Sequence, residues 1–515
     1  MKSHLKLGTR KSLLAWAQSS WVARQIERLN PGCSVELVGI ETRGDRILDV
    51  SLQSVEGKEF FVAELDDALR AGRVDLTVHS MKDLSLERPA EFMTGAVPRR
   101  ENPRDAVLFG PGVFDKIAAG KTLKIGTSSP RRLENIPPFL SRALPRVSGV
   151  SPKIELTEIR GNVNTRLARV HEPEGSERQL DGVVLAFAGL IRLAADETGW
   201  NELQKLLDGV RWMILPLREC PAAPAQGALA IECRKDDSTV RSMLLKLHDG
   251  KTAEAVNSER ELLALWGGGC HQRFGATSVL APDTGPLLHI RGVKPDGEFV
   301  DELRWKTPML ASGHRIAWNG NEWRKASESN TEQLPVDPGM FMSAPLFIAH
   351  SRAFPEKFPE EALTGLPSVW TSGVPSWFRL AERGVWVCGC AEGLGFDEIA
   401  STITEKVLRL PPLSDWYALT HESAVPGWRT ARAVGTYRLP KDARSEVKVE
   451  AQVALKSATH IFWSSGSQFE QLGKFAAAGA SHACGPGKTA SHLRNAGVNP
   501  LVFPSPQEWT KWLKS

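Results

Sequence analysis

The sequence predicts a layered α/β protein made of several domains. Across residues 5–207, apolar runs typical of strands (VDLTVHS, LKIGTSS and DGVVLAFAG) alternate with amphipathic stretches such as FFVAELDDALRAG. In that stretch Phe61, Leu65 and Leu69 recur at helical spacing, and Gly72 follows where a helix C-cap is expected. The length of 515 residues exceeds what one hydrophobic core usually serves, so we expect at least three compact units.

Composition and charge are typical of a soluble globular protein. Hydrophobic residues make up 42% and charged residues 24% of the chain, which argues against disorder. The 64 basic and 60 acidic residues are too balanced to predict binding to nucleic acid or to a membrane through bulk charge. The first residues lack the apolar core of a signal peptide, and no apolar run has the length of a membrane span. We expect a cytoplasmic monomer.

The seven cysteines are scattered and odd in number, which favours reduced thiols over a disulfide framework. Cys388 and Cys390 are separated by one residue and have no second pair nearby, so we assign no metal site.

Changes in composition indicate where domains meet. The stretches PRRENPR (98–104) and LRECPAAPAQG (217–227) interrupt the α/β pattern with prolines and charges. Eleven of the sixteen tryptophans lie from Trp305 onward, which indicates a separate C-terminal unit. Within that unit PSVWTSG (367–373) is similar to HIFWSSG (460–466), so we expect two similar α/β lobes there.

Four strand-to-helix junctions share one design, in which small or hydroxyl residues follow the strand and arginines open the helix. A helix N-terminus offers unpaired N–H groups and partial positive charge, and an added guanidinium makes a site for carboxylate or phosphate. Each arginine alone would be read as a solvated surface residue, but four such junctions predict a polyanionic ligand. The junctions are LKLGTRKSLLA with Arg10 and Ser12, LKIGTSSPRR with the predicted N-cap Ser129 before Arg131 and Arg132, ELTEIRGNVNTR with Arg160 and Arg166, and VVLAFAGLIR with Arg192.

Two further segments carry reactive side chains. VDLTVHSMKDLS places Ser80, Lys82 and Asp83 at the carboxyl end of a strand, where ligand sites of α/β sheets lie. Asp83 is either half of a weak surface ion pair or, beside clustered arginines, a catalytic carboxylate. In LLALWGGGCHQRFGA, Cys270 is either an inert buried thiol or a nucleophile on a glycine-rich loop.

Eight motifs in order resemble those of porphobilinogen deaminases over residues 4–305: TRKSLLA, ETRGD, VHSMKD, GTSSPRR, RGNVNTRL, AFAGLIRL, QGALAIECR and GGGCHQRFG. The resemblance implies two α/β lobes like those of type II periplasmic binding proteins and a small α+β domain that carries the cofactor. It implies that four porphobilinogen molecules are joined head to tail on a covalent dipyrromethane primer with release of ammonia. Hydrolysis then frees hydroxymethylbilane.

The resemblance also implies roles for individual residues. Cys270 is expected to hold dipyrromethane, Asp83 to be the catalytic carboxylate, and Arg43–Lys58 to be a loop over the cleft. The expected binders of the carboxylates of the cofactor and the growing polypyrrole are Arg10, Ser12, Ser80, Lys82, Thr127, Ser128, Ser129, Arg131, Arg132, Arg160, Arg166 and Arg192. The expected domains are 1–100 with 212–236, 101–211, 237–312, a linker 313–343 and a C-terminal domain 344–515.

The C-terminal region resembles uroporphyrinogen III synthase in its two WxSG strand ends, its GTYRL stretch and ACGPGKTASHLRNAG. That family has two α/β lobes joined by a two-stranded linker, and it cyclises the deaminase product to uroporphyrinogen III. Tyr437 is the candidate site residue. The alternative is a non-catalytic scaffold, because the segment between Leu419 and Arg438 looks too short for a full strand–helix unit.

Two other classes of function fit the sequence less well. A pure anion-binding module would need neither Cys270 nor Asp83. GPGKT at 485–489 ends like a phosphate-binding loop, but His482 stands where the full motif requires glycine.

Overall fold

The computed structural model describes residues 2–42, 62–268, 272–310, 313–329, 331–439 and 445–515. These residues form five β-sheets. In the described part of the chain, no helix combines the length and the apolar character that a membrane crossing requires.

The first two sheets share one strand plan and form two α/β lobes. The first sheet has the order β2-β1-β3-β10-β4 and the second has the order β7-β6-β8-β5-β9. In each sheet three parallel strands are followed by one strand that runs antiparallel to both of its neighbours. The elements, in chain order, are β1 (His4–Arg10), α1 (Leu13–Leu29), β2 (Ser34–Ile40), α2 (Ala63–Arg70), β3 (Leu76–Ser80), β4 (Phe92–Ala96), β5 (Asp105–Phe109), α3 (Val113–Ala118), β6 (Thr122–Gly126), α4 (Pro130–Ala143), β7 (Lys153–Thr157), α5 (Val163–Ala168), β8 (Gly182–Ala186), α6 (Phe187–Ala195), α7 (Glu197–Leu206), β9 (Arg211–Ile214), β10 (Leu229–Arg234) and α8 (Ser238–Leu245).

The chain crosses between the lobes twice, over residues 97–104 and 215–228. Both crossings contain the proline-rich stretches that the sequence marks as boundaries. The second lobe is one continuous segment between the two crossings, whereas the first lobe is completed by β10, which follows the second crossing. The two lobes therefore meet at a double-stranded hinge.

The third unit consists of α9 (Gly250–Leu265) and an antiparallel sheet of β11 (Arg273–Ala281), β12 (Gly285–Val293) and β13 (Phe299–Trp305). Leu262, Phe274 and Ile290 form its core. The preceding helix α8 packs in the core of the first lobe through Val240 and Leu244. The predicted third domain, which starts at residue 237, thus includes one helix that packs on the first lobe.

The C-terminal region contains two further sheets, of order β15-β20-β19-β16-β17-β18 and β14-β21-β22-β23. All their strand pairs are parallel except β15 with β20. The elements are β14 (Ala317–Trp318), α10 (Asn321–Ser329), β15 (Glu332–Gln333), β16 (Leu346–Ile348), α11 (Glu360–Leu363), β17 (Val369–Thr371), α12 (Val374–Glu382), β18 (Val387–Cys390), α13 (Phe396–Ile403), β19 (Tyr417–His421), β20 (Arg432–Arg438), α14 (Ser445–Ser457), β21 (His460–Trp463), α15 (Gly466–Leu472), β22 (Ser481–Cys484), α16 (Lys488–Asn495), β23 (Leu501–Val502) and α17 (Pro506–Lys514).

The predicted linker 313–343 is not a plain connection, because it contains β14 and α10 and β14 pairs with β21. The two similar sequences, 367–373 and 460–466, both lie where a strand passes into a helix, one in each sheet. Between β19 and β20 the structure has a 3-10 turn, Glu422–Gly427, where an α-helix would complete the unit.

The C-terminal region packs directly on the second lobe. The indole of Trp386 donates to the carbonyl of Trp212 at 2.9 Å, and that of Trp377 donates to Ala143 at 3.0 Å. Phe109 packs edge-on against Trp386, with ring centroids 5.2 Å apart. One continuous apolar core thus joins the two regions.

Candidate active site

The junctions rich in arginine all follow carboxyl ends of parallel strands in the two N-terminal lobes. Arg10 ends β1, Asp83 lies in the 3-10 turn Met81–Asp83 after β3, and Arg132 lies in the first turn of α4 after β6. Arg166 lies in α5 after β7. Ligands of α/β sheets bind at such ends, so the fold directs these side chains toward the cleft between the lobes.

Arg131 and Arg132 are buried and share one carboxylate that the sequence analysis did not identify. Asp105, the first residue of β5, accepts hydrogen bonds from Arg132 Nη2 at 2.7 Å and from Arg132 Nε at 3.2 Å. Its carboxylate also lies 2.9 Å from Arg131 Nη1. Arg131 also donates to the carbonyl of Pro221, and Arg132 to that of Val184. Although burial opposes ionisation, the two guanidiniums hold the pKa of Asp105 well below its ordinary value.

This arrangement gives Arg131 and Arg132, the predicted binders of ligand carboxylates, an internal carboxylate partner. They are anchored, but two cations share one carboxylate, and the surplus positive charge remains beside the cleft. Burial lowers the pKa of Arg131, with Arg132 adding to the effect and Asp105 opposing it. Ser129 occupies the N-cap position of α4, but its side chain makes no capping hydrogen bond, contrary to expectation.

Gln226 extends this network to Lys82. Its amide nitrogen donates to Asp105 Oδ1 at 2.8 Å, and its amide oxygen accepts from Lys82 Nζ at 3.3 Å. Burial lowers the pKa of Lys82, the charges of Arg132 and Arg131 lower it further, and Asp83 and Asp105 oppose them. Gln226 lies in the second crossing, so one side chain links the hinge to both lobes.

Asp83 is exposed, unlike the anchored Asp105. It acts electrostatically on Lys82 in its own lobe and on Arg166 in the other lobe. Arg166 donates Nε to the carbonyl of Gly161 at 2.7 Å. Its pKa is lowered to about 10 by burial and then by Arg132 and Arg160. The structure thus groups one exposed carboxylate with a cluster of cations, which is an environment suited to acidic ligands.

The serines and the threonine predicted to bind ligand carboxylates differ in their burial and in their hydrogen-bond partners. Ser12 caps α1 by accepting from the Ala15 N–H at 3.4 Å, and Ser80 exchanges hydrogen bonds with Gln18. Thr127 is buried and accepts from the Ser129 N–H at 3.3 Å, whereas Ser128 is partly exposed.

Arg192 stands apart from the cluster. Its Nη2 donates to the carbonyl of Gly227 at 2.7 Å, so it supports the second crossing. It lines a cavity of about 90 Å³ with Trp21, Arg24, Arg99 and Glu101. Burial lowers its pKa to about 10, and Glu101 opposes this. These contacts link Arg192 to the hinge.

Cys270 and the loop Arg43–Lys58 lie outside the described residues. On either side of Cys270, Trp266 packs edge-on against Phe274 with centroids 4.6 Å apart. Gln272 donates to the carbonyls of Trp266 and Gly268 at 3.3 and 2.8 Å. These contacts bring Trp266 and Gly268, on one side of Cys270, close to Gln272 and Phe274 on the other side.

One group in the described residues has the residue types of a metal site: Asp66, His79 and Glu232 lie close together. Arg88 donates to Asp66 at 2.6 Å and to both oxygens of Glu232 at 2.6 and 3.0 Å. Burial and the charge of Arg88 lower the pKa of His79 to about 4. The guanidinium already satisfies these carboxylates, so we interpret the group as an internal ion pair.

Two α/β lobes whose strand ends bring the exposed carboxylate of Asp83 together with a cluster of cations are typical of a protein suited to an acidic ligand. Residues 5–242 match the family model described as porphobilinogen deaminase, dipyromethane cofactor binding domain. The porphobilinogen deaminase of Syntrophotalea carbinolica is 38% identical over 301 residues, 58% of this chain and 86% of the relative. That of Syntrophobacter fumaroxidans is 41% identical over 283 residues, 54% of this chain and 81% of the relative. The chain belongs to the porphobilinogen deaminase family.

The deaminase of Geobacillus kaustophilus is 38% identical over 316 residues, which cover 61% of this chain and 93% of the relative. The deaminase activity and the dipyrromethane cofactor therefore belong to the N-terminal region. None of these three relatives extends over the whole C-terminal region. Among solved structures, YhfZ from Shigella flexneri covers 51% of this chain and 91% of its own, with 13% identity and a TM-score of 0.24.

Proposed function

We propose that the cleft between the two N-terminal lobes is where porphobilinogen units are joined, with Asp83 as the catalytic carboxylate and Cys270 as the attachment point of dipyrromethane. The observation that carries this is the exposed Asp83 carboxylate beside buried, surplus positive charge. Each pyrrole of substrate or cofactor bears an acetate and a propionate. The cations of the cleft can pair with these acetates and propionates, and the Asp83 carboxylate can accept a hydrogen bond from a pyrrole N–H.

In each cycle the bond between the aminomethyl carbon and nitrogen breaks, and positive charge develops on the substrate as ammonia leaves. When bound, dipyrromethane would supply the pyrrole carbon to which the first unit is joined. The Asp83 carboxylate accepts a hydrogen bond from a pyrrole N–H and stabilises the developing positive charge. The proton lost from the attacked pyrrole carbon balances the one taken up by the leaving amine. Lys82 and Arg166 hold carboxylates and so orient the rings.

The clamp role of Arg166 has a direct test. Arg166→Gln should raise KM for porphobilinogen by about tenfold or more, because a charge-assisted hydrogen bond to a ligand carboxylate is lost. The measurement is steady-state kinetics of purified enzyme. Arg178→Gln, in an exposed loop of the same lobe, is the matched control. Equal KM values for the two variants would contradict the role.

We also propose a second activity for the C-terminal region, the cyclisation of hydroxymethylbilane to uroporphyrinogen III. What supports it is the antiparallel pairing of β15 with β20, which joins two parallel α/β lobes as a two-stranded linker. Tyr437 lies at this linker and is buried, with its ring 5.1 Å from that of His421. A non-catalytic scaffold is the alternative.

Isomer analysis separates these alternatives. We expect the full chain, supplied with porphobilinogen, to release mainly type III uroporphyrinogen. The Geobacillus kaustophilus deaminase assayed alone is the control and should give type I by spontaneous closure. Truncation near residue 312 is a poor test, since it would strip the Trp386 contacts from the second lobe. Type I from both proteins would contradict the second activity.

A further inference from the structure

The six-stranded C-terminal sheet has a topological switch point between β16 and β19. After β16 the chain passes outward through β17 and β18, then returns to form β19 on the opposite side of β16. A crevice opens at the carboxyl ends of strands where the order reverses in this way, and ligands of open α/β sheets bind there. His350 lies two residues beyond β16, and His421 is the last residue of β19.

Arg352 is held beside this crevice by groups from several elements. Its Nη1 donates to Thr331 Oγ1 at 2.9 Å, and both its backbone N–H and its Nε donate to His350 Nδ1 at 3.2 Å. Gln333 of β15 donates to its carbonyl at 2.7 Å. The guanidinium carbon lies 5.8 Å from the centre of the Tyr437 ring. A guanidinium is therefore fixed between the linker and the switch point.

The neighbouring side chains suit an acidic, aromatic ligand. Burial, then the charges of Arg352 and Arg379, lower the pKa of His350 to about 4, so it stays neutral and accepts from Arg352 near pH 7. His421 Nδ1 accepts from the Ser423 N–H at 3.1 Å and contacts its hydroxyl at 2.9 Å. The crevice thus combines positive charge with imidazole and phenol rings.

We propose that this switch-point cluster, Arg352 with His350, His421 and Tyr437, is a binding site for a carboxylate of a tetrapyrrole. The choice of a tetrapyrrole rests on the proposed second function. Arg352 receives an acetate or propionate in a charge-assisted hydrogen bond, and the rings of His421 and Tyr437 line the adjacent pyrrole. His350 is a positioning residue that keeps the guanidinium in place.

Arg352→Gln in the full chain tests the site with two measurements. The first is the fraction of type III uroporphyrinogen released from porphobilinogen, which should fall toward the type I product. The second is fluorescence titration with uroporphyrin III, whose affinity should weaken by about 10- to 100-fold. Arg438→Gln is the matched control, since Arg438 lies next to Tyr437 in an exposed ion pair with Glu332. An unchanged urea unfolding curve shows that each variant is folded, and unchanged deaminase activity shows that its N-terminal lobes are intact.

The outcomes separate the site from the second function. If wild type gives type I only but binds uroporphyrin III with an affinity that depends on Arg352, the cyclisation proposal fails and the site stands. If Arg352→Gln matches Arg438→Gln in both measurements, the site is overturned even where wild type makes type III. Arg352→Lys should recover part of the affinity for uroporphyrin III that Arg352→Gln loses, because it keeps the positive charge. The recovery should be incomplete, because lysine lacks the forked guanidinium that binds a carboxylate through two hydrogen bonds.

Discussion

Replacing Asp83 by alanine is expected to lower kcat of porphobilinogen consumption by about 10²–10⁴-fold, in the range typical of lost electrostatic or acid–base catalysis. Asp83 is the exposed carboxylate among the cations of the cleft, whereas Asp105 is buried and paired. By the proposed mechanism, its removal takes away the group that faces developing positive charge and leaves the surrounding cations to oppose that charge. Single-turnover and steady-state assays measure the loss.

The fold should survive this change, because the side chain lies at the surface of the cleft and supports no core contact. Asp83→Asn tests charge at constant shape and should behave like the alanine variant. Asp67→Ala is the control, since Asp67 is an exposed carboxylate of the same lobe that pairs with Arg70. Near-normal turnover in Asp83→Ala would refute the catalytic role.

Replacing Asp105 by asparagine is expected to lower the free energy of unfolding by about 3–5 kcal/mol, because it removes one partner of a buried ion pair. Two buried guanidiniums, Arg131 and Arg132, would then share no carboxylate. The link through Gln226 to Lys82 would also weaken, so turnover should fall as well. Urea unfolding of the full chain measures the stability change.

The pH dependence of this loss has a definite sign. The pKa of Asp105 is depressed in the folded protein, and that of an unfolded aspartate is about 3.9. Its stabilisation is therefore complete above the unfolded pKa and is lost only as pH falls below it. The loss of unfolding free energy in Asp105→Asn should stay constant between about pH 5 and 8.

The control variant is Glu302→Gln, which breaks an exposed ion pair with Arg304 and should lower the free energy of unfolding by less than about 1 kcal/mol. A deficit for Asp105→Asn as small as that of the control would be inconsistent with a buried anchor.

Much of the fold was predictable because its signals are local. Alternating apolar runs and amphipathic stretches predicted the α/β elements, as in α2, which Gly72 follows with a φ of 67°. Proline-rich stretches predicted both crossings, since such residues interrupt regular structure. The strand β14 within the predicted linker 313–343 was not predicted, because it is only two residues long, too short for any periodicity to show.

The candidate site was predictable in outline and not in its internal partners. Strand-end positions predicted that Asp83, Lys82 and Arg166 lie near one another, because carboxyl ends of parallel strands meet at one edge. The pairing of Arg132 with Asp105, and of Asp105 with Gln226, joins residues 27 and 121 positions apart. No short motif reports such contacts, so the sequence could not show that Arg131 and Arg132 are anchored by a buried carboxylate.

Intact-mass spectrometry of the purified protein tests the central claim most directly. A porphobilinogen deaminase that carries its primer on Cys270 should exceed the mass of its sequence by two pyrrole units. Cys270→Ser should have the sequence mass alone and no turnover, since a serine hydroxyl is a far weaker nucleophile than a thiolate. An active wild-type enzyme without added mass, or a Cys270→Ser variant that retains it, would contradict the account.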